Sequence, residues 1–459
     1  MNNEAEPRPV QSETNAEPPY PSPGYAWYVV GVLMIVYVLS FIDRQILSLI
    51  VDPVKKDLNV GDTAMGLLMG FSFAMFYSVL GIPFGWLSDR KSRRSIIAIG
   101  VAFWSATTAL CVAAREYWHL FLLRVGVGIG EAALSPAAYS LITDYFPRNR
   151  LGTALSVYGM GIYIGSGMAF LLGGKAIQFA ATTTGELALP LIGDVRPWQM
   201  VFFVVGAPGL LIAALVYTIR EPIRRGLLGK PGAKQVSFVE FMQYVGANRG
   251  AILYHHFGFA LLAFMGYATI GWIAAFFGRV HGWGPADIAQ WYGLAIMIFG
   301  ASGITYGGIL SDWLSRKGYR DGKILCGIIS AVLSLPLGIA MPLMPTGTLA
   351  MILVCPLAFV QAMPFGAAPA AVQEIVPSSM RGQAGAFYLL VINIISIGFA
   401  ATTVGALNDF VFDGANDPTA VGKSLMTVTV ATCIGAIILL SLCRAPFKAS
   451  LDRIRSGVE

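Results

Sequence analysis

The sequence has few charged residues. Asp, Glu, Lys and Arg make up 12% of its 459 residues, about half the fraction usual in a soluble protein, whereas 56% of positions are hydrophobic. The apolar residues gather in uncharged runs of about 20 residues, the length at which a helix crosses a ~30 Å hydrocarbon core. This composition excludes an ordinary soluble enzyme and predicts an all-α polytopic membrane protein.

Cysteine and histidine are also scarce. The five cysteines are odd in number, lie in or beside apolar runs and form no C-x-x-C pair, so they predict neither a disulfide framework nor a zinc site. Of the four histidines, His255 and His256 are adjacent and cannot share one ligand face of a helix. The sequence also lacks a G-x-x-x-x-G-K-[ST] loop, which argues against an ATP-driven pump. We therefore expect no metal and no cofactor.

Twelve runs that exclude charge follow one another along the chain. Their limits are 26–51, 64–87, 95–115, 117–144, 152–177, 198–219, 251–280, 288–311, 323–343, 348–375, 383–408 and 423–443. In this alternating layout, 22 of the 31 Lys and Arg residues fall on the side of the N-terminus and 7 on the other. The positive-inside rule therefore predicts a multi-pass protein of the cell (inner) membrane with both termini in the cytoplasm.

The longest charged break divides the twelve segments into two groups of six. Residues 1–24 are rich in Pro and Glu and predict a disordered cytoplasmic tail, followed by a six-helix bundle over 25–219. A cytoplasmic linker over 220–250, a second bundle over 251–443 and a cytoplasmic tail over 444–459 complete the expected organisation. The apolar residues of the linker recur at near-helical spacing, which fits a helix on the membrane face; a solvated linker is the alternative. The net charge of +6 comes from short basic runs that suit anionic lipid headgroups better than nucleic acid.

The two groups share a repeated loop. The sequence GWLSDRKSRR begins at Gly85 after segment 2, and GILSDWLSRK begins at Gly308 after segment 8, with six identical positions in ten. Such duplication predicts two pseudo-symmetric six-helix bundles. The glycines allow close helix approach, and each acid can face the N-terminus of a helix in the other half, which predicts a cytoplasmic gate; a plain topology signal is the alternative. The candidate gate residues are Gly85, Asp89, Arg90, Arg93, Asp144, Asp312, Arg316 and Glu374.

The loop that begins at Gly85 resembles the signature loop of the major facilitator superfamily, with Ser92 where Gly is usual. Within that superfamily, three stretches resemble the Spinster-like transporters: FIDRQ from Phe41, GLLMGF from Gly66 and RVGVGIGEA from Arg124. The resemblance implies the major facilitator fold, with twelve transmembrane helices in two pseudo-symmetric bundles, working by alternating access. It also implies transport that is often proton-linked, with lipid-like substrates among eukaryotic relatives.

Four ionisable residues lie well inside the segments, namely Asp43, Arg44, Arg124 and Glu131. Lone charges at this depth cost several kcal/mol, so these groups are expected to pair or to line water. At ~1.5 Å per residue, Asp43 and Arg124 lie at similar depth and can meet, whereas Glu131 lies near the bilayer middle. Gly128 leaves room beside the charges on a face that should look into a central cavity. We expect all four to act in proton coupling, with Glu131 as the best proton carrier; a static ion-pair cluster is the alternative.

The second group of segments has only neutral polar and aromatic side chains in its interior. Tyr267, Trp272, Tyr306 and Gln361 are the candidates for a substrate cavity. Tyr267 and Trp272 lie five positions apart, on different faces of one helix, so at most one should point inward. Charges on one wall and aromatic rings on the other suit an amphipathic ligand.

The sequence therefore predicts a proton-coupled secondary transporter of an amphipathic, lipid-like molecule, acting as a monomer among membrane lipids. One alternative is a proton-coupled organic-anion symporter, in which Arg124 or Arg44 would hold a carboxylate. The other is a lipid-modifying membrane enzyme, which would need clustered acids or a paired histidine that the sequence does not offer.

Overall fold

The structure is a computed structural model that describes residues 20–183, 188–189, 193–224, 236–377 and 380–456. Within these residues, twelve stretches of helix are long and apolar enough to cross a membrane, and they are numbered as spans 1 to 12. This confirms the predicted all-α fold with twelve membrane segments. Most of the predicted N-terminal tail lies outside the described residues.

The spans are built from one or two helices each. Their helices are Pro23–Leu49 (span 1), Asp62–Met69 with Phe71–Arg90 (span 2), Arg93–Leu110 (span 3), Tyr117–Glu131 with Leu134–Tyr145 (span 4), Arg148–Thr183 (span 5), Pro197–Val216 (span 6), Arg249–His281 (span 7), Pro285–Ala295 with Ala301–Arg316 (span 8), Gly322–Ala340 (span 9), Gly347–Ala362 with Pro364–Glu374 (span 10), Arg381–Ile392 with Gly398–Phe410 (span 11) and Ala420–Ser456 (span 12). The π-helical turns Ile296–Gly300 and Asn393–Ile397 join the two helices of spans 8 and 11.

Short elements lie between the spans. They are the helices Val51–Leu58 and Phe238–Ala247, the 3-10 turns Cys111–Ala113 and Met341–Leu343, and an antiparallel pair of strands, Ala188–Leu189 and Gly193–Asp194. The start of span 1, the end of span 12 and the described parts of the loops after even-numbered spans lie on one face of the bundle, which we term the terminal face. The opposite face is the distal face.

The predicted linker contains an amphipathic helix on the terminal face. Ser237 and Glu240 form a capping box at its start, in which Glu240 N donates to Ser237 Oγ at 3.2 Å and Ser237 N donates to Glu240 Oε2 at 2.8 Å. Phe241 and Val245 are buried against the second half, whereas Phe238 is exposed. Residues 225–235 of the linker lie outside the described part of the chain.

The chain after residue 443, expected to be a separate tail, continues as the helix of span 12 to Ser456. Phe447 and Leu451 are buried in the second half, which explains why the helix does not end at the membrane surface. Arg444 Nε donates to Asp321 Oδ2 at 2.5 Å. Burial alone would raise the pKa of Asp321, but the hydrogen bonds from Arg444, the main chain and Lys448, together with the charge of Arg444, outweigh it and hold that pKa below its usual value.

Glycines on spans 2, 5, 8 and 11 show that the two halves meet closely near the distal face. A Cβ placed on Gly66 would lie 2.5 Å from the carbonyl oxygen of Ala401, and one on Gly167 would lie 2.7 Å from that of Gly293. On the terminal halves of the same four spans, four glycines have no atom within 4 Å of a Cβ position: Gly81, Gly159, Gly308 and Gly382. The halves are therefore packed together at the distal face and apart at the terminal face.

Candidate functional site

Glu131, at the break in span 4, is the centre of a buried cluster between spans 1 and 4. Its side chain is 0% exposed. Its Oε2 accepts hydrogen bonds from Ser40 Oγ and from Arg44 Nε, both at 2.6 Å. Its other oxygen, Oε1, has no hydrogen-bond partner among the described residues. Two residues one turn apart on span 1 therefore hold Glu131 through a single oxygen.

Asp43 lies in the same cluster without such partners. The residue is 0% exposed, and no described group meets ordinary hydrogen-bond geometry with its carboxyl oxygens, the Trp104 side chain being a looser polar contact. Arg124 Nη1 donates instead to the main-chain oxygen of Asp43 at 2.8 Å, while Arg124 Nε and Nη2 have no partner there. Asp43 and Arg124 thus meet as their depths predict, but through the main chain and not through the carboxylate.

The room expected beside Gly128 is filled. A Cβ on Gly128 would lie 2.6 Å from the main-chain oxygen of Phe73, so this glycine lets span 2 approach span 4. Arg124, one turn earlier, does line a pocket. On this face of span 4, Gly128 therefore packs against span 2 and Arg124 lines the pocket. The spacing of residues within one segment does not show which of them contacts a neighbouring helix.

A cavity of about 690 Å³, including its open mouth, lies between the two halves. Side chains of spans 1 and 5 from the first half and of spans 7, 8 and 10 from the second line it, and most of them are apolar. A smaller pocket adjoins it and is lined by Arg44 and Arg124. Gln45, Tyr267 and Ile270 line both, so the apolar cavity and the charged pocket lie side by side.

Two of the four predicted cavity residues line this space. Tyr267 and Gln361 do so. Trp272 does not, because it faces the opposite side of span 7, where it is fully buried and its Nε1 donates to the Ala401 oxygen at 2.9 Å. Tyr306 does not line the cavity either: its ring is exposed and lies 5.4 Å, centroid to centroid, from that of Phe359.

The predicted gate residues Arg93 and Asp144 lie within the first half. Arg93 is 1% exposed, pairs with Asp144 through Nη1 and donates from Nε to Glu221 Oε1 at 2.7 Å. The second half repeats this pair, because Lys323 Nζ contacts Glu374 Oε1 at 2.6 Å. Each pair spans 51 residues of sequence. These ion pairs hold each half together and do not join one half to the other.

The other predicted gate residues are apart in this conformation. Asp312 and Arg316 are exposed, and Arg90 is exposed with its guanidinium carbon 3.8 Å from the centroid of the Trp86 ring. Gly85 has only a Pro136 side-chain carbon at 4.0 Å from its Cβ position. The side chain of Asp89 lies outside what the structure describes.

At the distal face, a cluster absent from the predicted site residues joins the halves, and we term it the distal clamp. Arg279 of span 7 contacts Asp62 Oδ2 at 2.6 Å and Asp52 Oδ1 at 2.6 Å. Asp409 of span 11 accepts from the main-chain nitrogens of Asp62 at 3.1 Å and Thr63 at 2.7 Å, so it caps the N-terminus of span 2. Asn408 of span 11 also belongs to the clamp, since its Nδ2 donates to Asp62 Oδ2 at 3.0 Å. The signal in the sequence was a charged residue beside the distal end of four segments: Asp52 after segment 1, Asp62 before segment 2, Arg279 at the end of segment 7 and Asp409 after segment 11.

Twelve spans in two halves, closed at one face and apart at the other around a central cavity, define a membrane transporter. Residues 33–401 match the Major Facilitator Superfamily, and the chain belongs to this family. An MFS-type efflux pump of Mycolicibacterium smegmatis (strain ATCC 700084 / mc(2)155) is 29% identical over 425 residues, covering 90% of this chain and 92% of that protein. The sphingosine-1-phosphate transporter SPNS2 of Danio rerio is 30% identical over 227 residues, 48% of this chain and 42% of that protein.

Among solved structures, the chain is similar to a bacterial homolog of the human lysosomal transporter Spinster, in an inward-facing and unoccupied conformation. The TM-score is 0.79 at 28% identity, covering 94% of this chain and 99% of that one. The resemblance to Spinster-like members of the superfamily is confirmed. The chain is a multi-pass membrane transporter and not an enzyme.

Proposed function

We propose that this transporter moves an amphipathic, lipid-like molecule by proton-coupled alternating access. The observation that carries the proposal is that an apolar cavity between the halves lies directly beside a charged pocket at the buried acid-base cluster. An apolar tail fits among Ile162, Val354 and Leu357, while a polar head reaches Arg44 and Arg124. The sphingosine-1-phosphate transporter among its relatives agrees with a ligand of this shape.

We infer proton coupling from the different hydrogen-bond partners of the two buried acids, Asp43 and Glu131. An ionised carboxylate buried without a partner is costly, so the unpaired Asp43 is the group that holds a proton in this conformation. Glu131 is ionised there, because it accepts charge-assisted bonds from Arg44 and Ser40. We propose that exchange of protons at both acids, with Arg124 and Arg44 as their counter-charges, shifts the balance between the two open states. Glu131 is then not the sole carrier.

Two gates alternate in this proposal. The distal clamp keeps the distal face closed in the present conformation, while the signature loops at Asp89 and Asp312 close the terminal face when the distal face opens. With the terminal face in the cytoplasm, as the distribution of Lys and Arg predicts, this structure faces inward. We place the protein in the inner cell membrane, where it acts as a monomer among membrane lipids.

Transport in proteoliposomes tests the proposal. With an imposed proton gradient, lysolipid or sphingoid-lipid analogues should move in the wild type, and Asp43→Asn and Glu131→Gln should abolish acceleration by the gradient while sparing folding. Asp413→Asn, an exposed distal acid, is the matched control and should transport normally. Gradient-driven transport that survives in both variants would reject proton coupling at these residues.

A second function is favoured by the two unpaired guanidinium nitrogens of Arg124, which suit a small organic anion. Uptake of a dicarboxylate, with no transport of lipid analogues and no effect of Tyr267→Ala or Gln361→Ala, would replace the lipid proposal with this one.

A further inference from the structure

Ser40 is a buried residue of the acid-base cluster that sequence analysis does not single out. It is 0% exposed, and its Oγ lies 2.6 Å from Glu131 Oε2. Arg44, four residues later and therefore on the same face of span 1, contacts the same oxygen at 2.6 Å. A hydroxyl and a guanidinium thus share one carboxylate oxygen.

The two partners differ in what they can hold. A guanidinium only donates, so it binds the ionised carboxylate of Glu131 and loses its acceptor charge when the acid takes a proton. A serine hydroxyl donates to the carboxylate and, after turning about its Cβ–Oγ bond, accepts from the protonated carboxyl. Protonation removes the charge that strengthens the Arg44 bond and leaves only a neutral acceptor oxygen, whereas the Ser40 hydroxyl forms a hydrogen bond of ordinary strength with either form of Glu131. The contact with Arg44 is therefore the one that weakens most when Glu131 takes a proton.

Arg44 has other contacts that can hold its guanidinium when its bond to Glu131 weakens. It lines the charged pocket, and its guanidinium carbon lies 4.6 Å from the ring centroid of Tyr77 and 4.7 Å from that of Phe73. Cation–π contacts of this kind hold a guanidinium while its nitrogens face a ligand.

We propose that Ser40 is a positioning residue that keeps Glu131 bound to span 1 through the proton cycle, so that protonation releases Arg44 alone to the cavity. The proposal rests on the proton coupling proposed above. The titratable and charged groups around Glu131 and Arg44 are Tyr37 and Asp43 of span 1, Tyr77 of span 2, Arg124 of span 4 and Tyr267 of span 7.

The test is the pH profile of gradient-driven transport in proteoliposomes for the full chain. Ser40→Ala removes a donor to the ionised form, so the midpoint of the profile should move to higher pH by about one unit. Ser40→Thr keeps the hydroxyl and should restore the wild-type midpoint. Ser72→Ala is the control, because Ser72 is also buried and its hydroxyl donates to Leu68 O of its own span at 2.9 Å.

A Ser40→Ala profile that matches the wild type would overturn the proposal, as would a shift that Ser40→Thr fails to reverse. If Ser40→Ala does not fold, Ser40→Cys replaces it, with a weak thiol donor and an expected smaller shift in the same direction. Failure of the proton-coupling proposal is a different result, namely a wild-type profile that is flat or unaffected by Glu131→Gln.

Discussion

At the scale of single residues, the pair formed by Arg93 and Glu221 shows how charged groups on the terminal face stabilise one half. Burial alone would raise the pKa of Glu221, but hydrogen bonds from Arg93, the Arg94 main chain and Ser92, together with the charge of Arg93, outweigh it and hold that pKa below its usual value. Since the folded pKa is depressed, this contribution to stability is present at neutral pH and is lost as the pH falls through the folded pKa.

Glu221→Gln should therefore lower the free energy of unfolding by about 1–2 kcal/mol at pH 7. The difference in unfolding free energy between the variant and the wild type should shrink towards pH 4, because Glu221 in the wild type is then protonated and loses its charge-assisted bonds. Thermal unfolding in detergent across this pH range measures both effects. Glu116→Gln, at an exposed acid before span 4, is the control; an equal loss of stability in it would remove the special role of Glu221.

At the scale of helices, spans 2 and 11 run antiparallel, and the end of span 11 caps the start of span 2. Asp409 makes this cap through two main-chain nitrogens and the Thr63 hydroxyl, at 2.7 Å from Thr63 Oγ1. Gly405 packs on the same turn, with its Cβ position 2.3 Å from the Asp62 oxygen. The cap must break when the distal face opens, so its energy favours the present conformation.

Asp409→Ala should weaken the distal clamp by about 0.5–2 kcal/mol and raise the ratio of distal-open to distal-closed molecules roughly two- to thirtyfold. Spin labels at exposed distal positions, Lys56 in the first half and Asp287 in the second, measure the separation by pulsed electron resonance after the native cysteines are replaced. Asp413→Asn alters an acid just beyond the cap and should leave the distance distribution unchanged. An unaltered distribution in Asp409→Ala would show that the cap does not oppose opening.

At the scale of the whole molecule, the two faces carry different numbers of basic residues, and this difference sets orientation. Alkaline phosphatase fused after Glu459 should be inactive in a bacterial host, while the same enzyme inserted in the distal loop before span 12 should be active, because it folds only outside the reducing cytoplasm. A fluorescent protein at the same two sites should give the opposite pattern. Activity of phosphatase at the C-terminus would invert the topology and make the present conformation outward-facing.

The number of spans, the duplicated loops and the four charged residues of the acid-base cluster could all be predicted from the sequence alone. This was possible because hydropathy and buried charge are local properties, dictated by the bilayer wherever a segment crosses it. Only the tertiary structure shows which side chains these charged residues contact. Glu131 accepts hydrogen bonds from Ser40 and Arg44, and Arg93 pairs with Asp144 of the same half. The reason is that distances between segments depend on how glycines let helices approach and on where π-helical turns rotate them, which no single segment encodes.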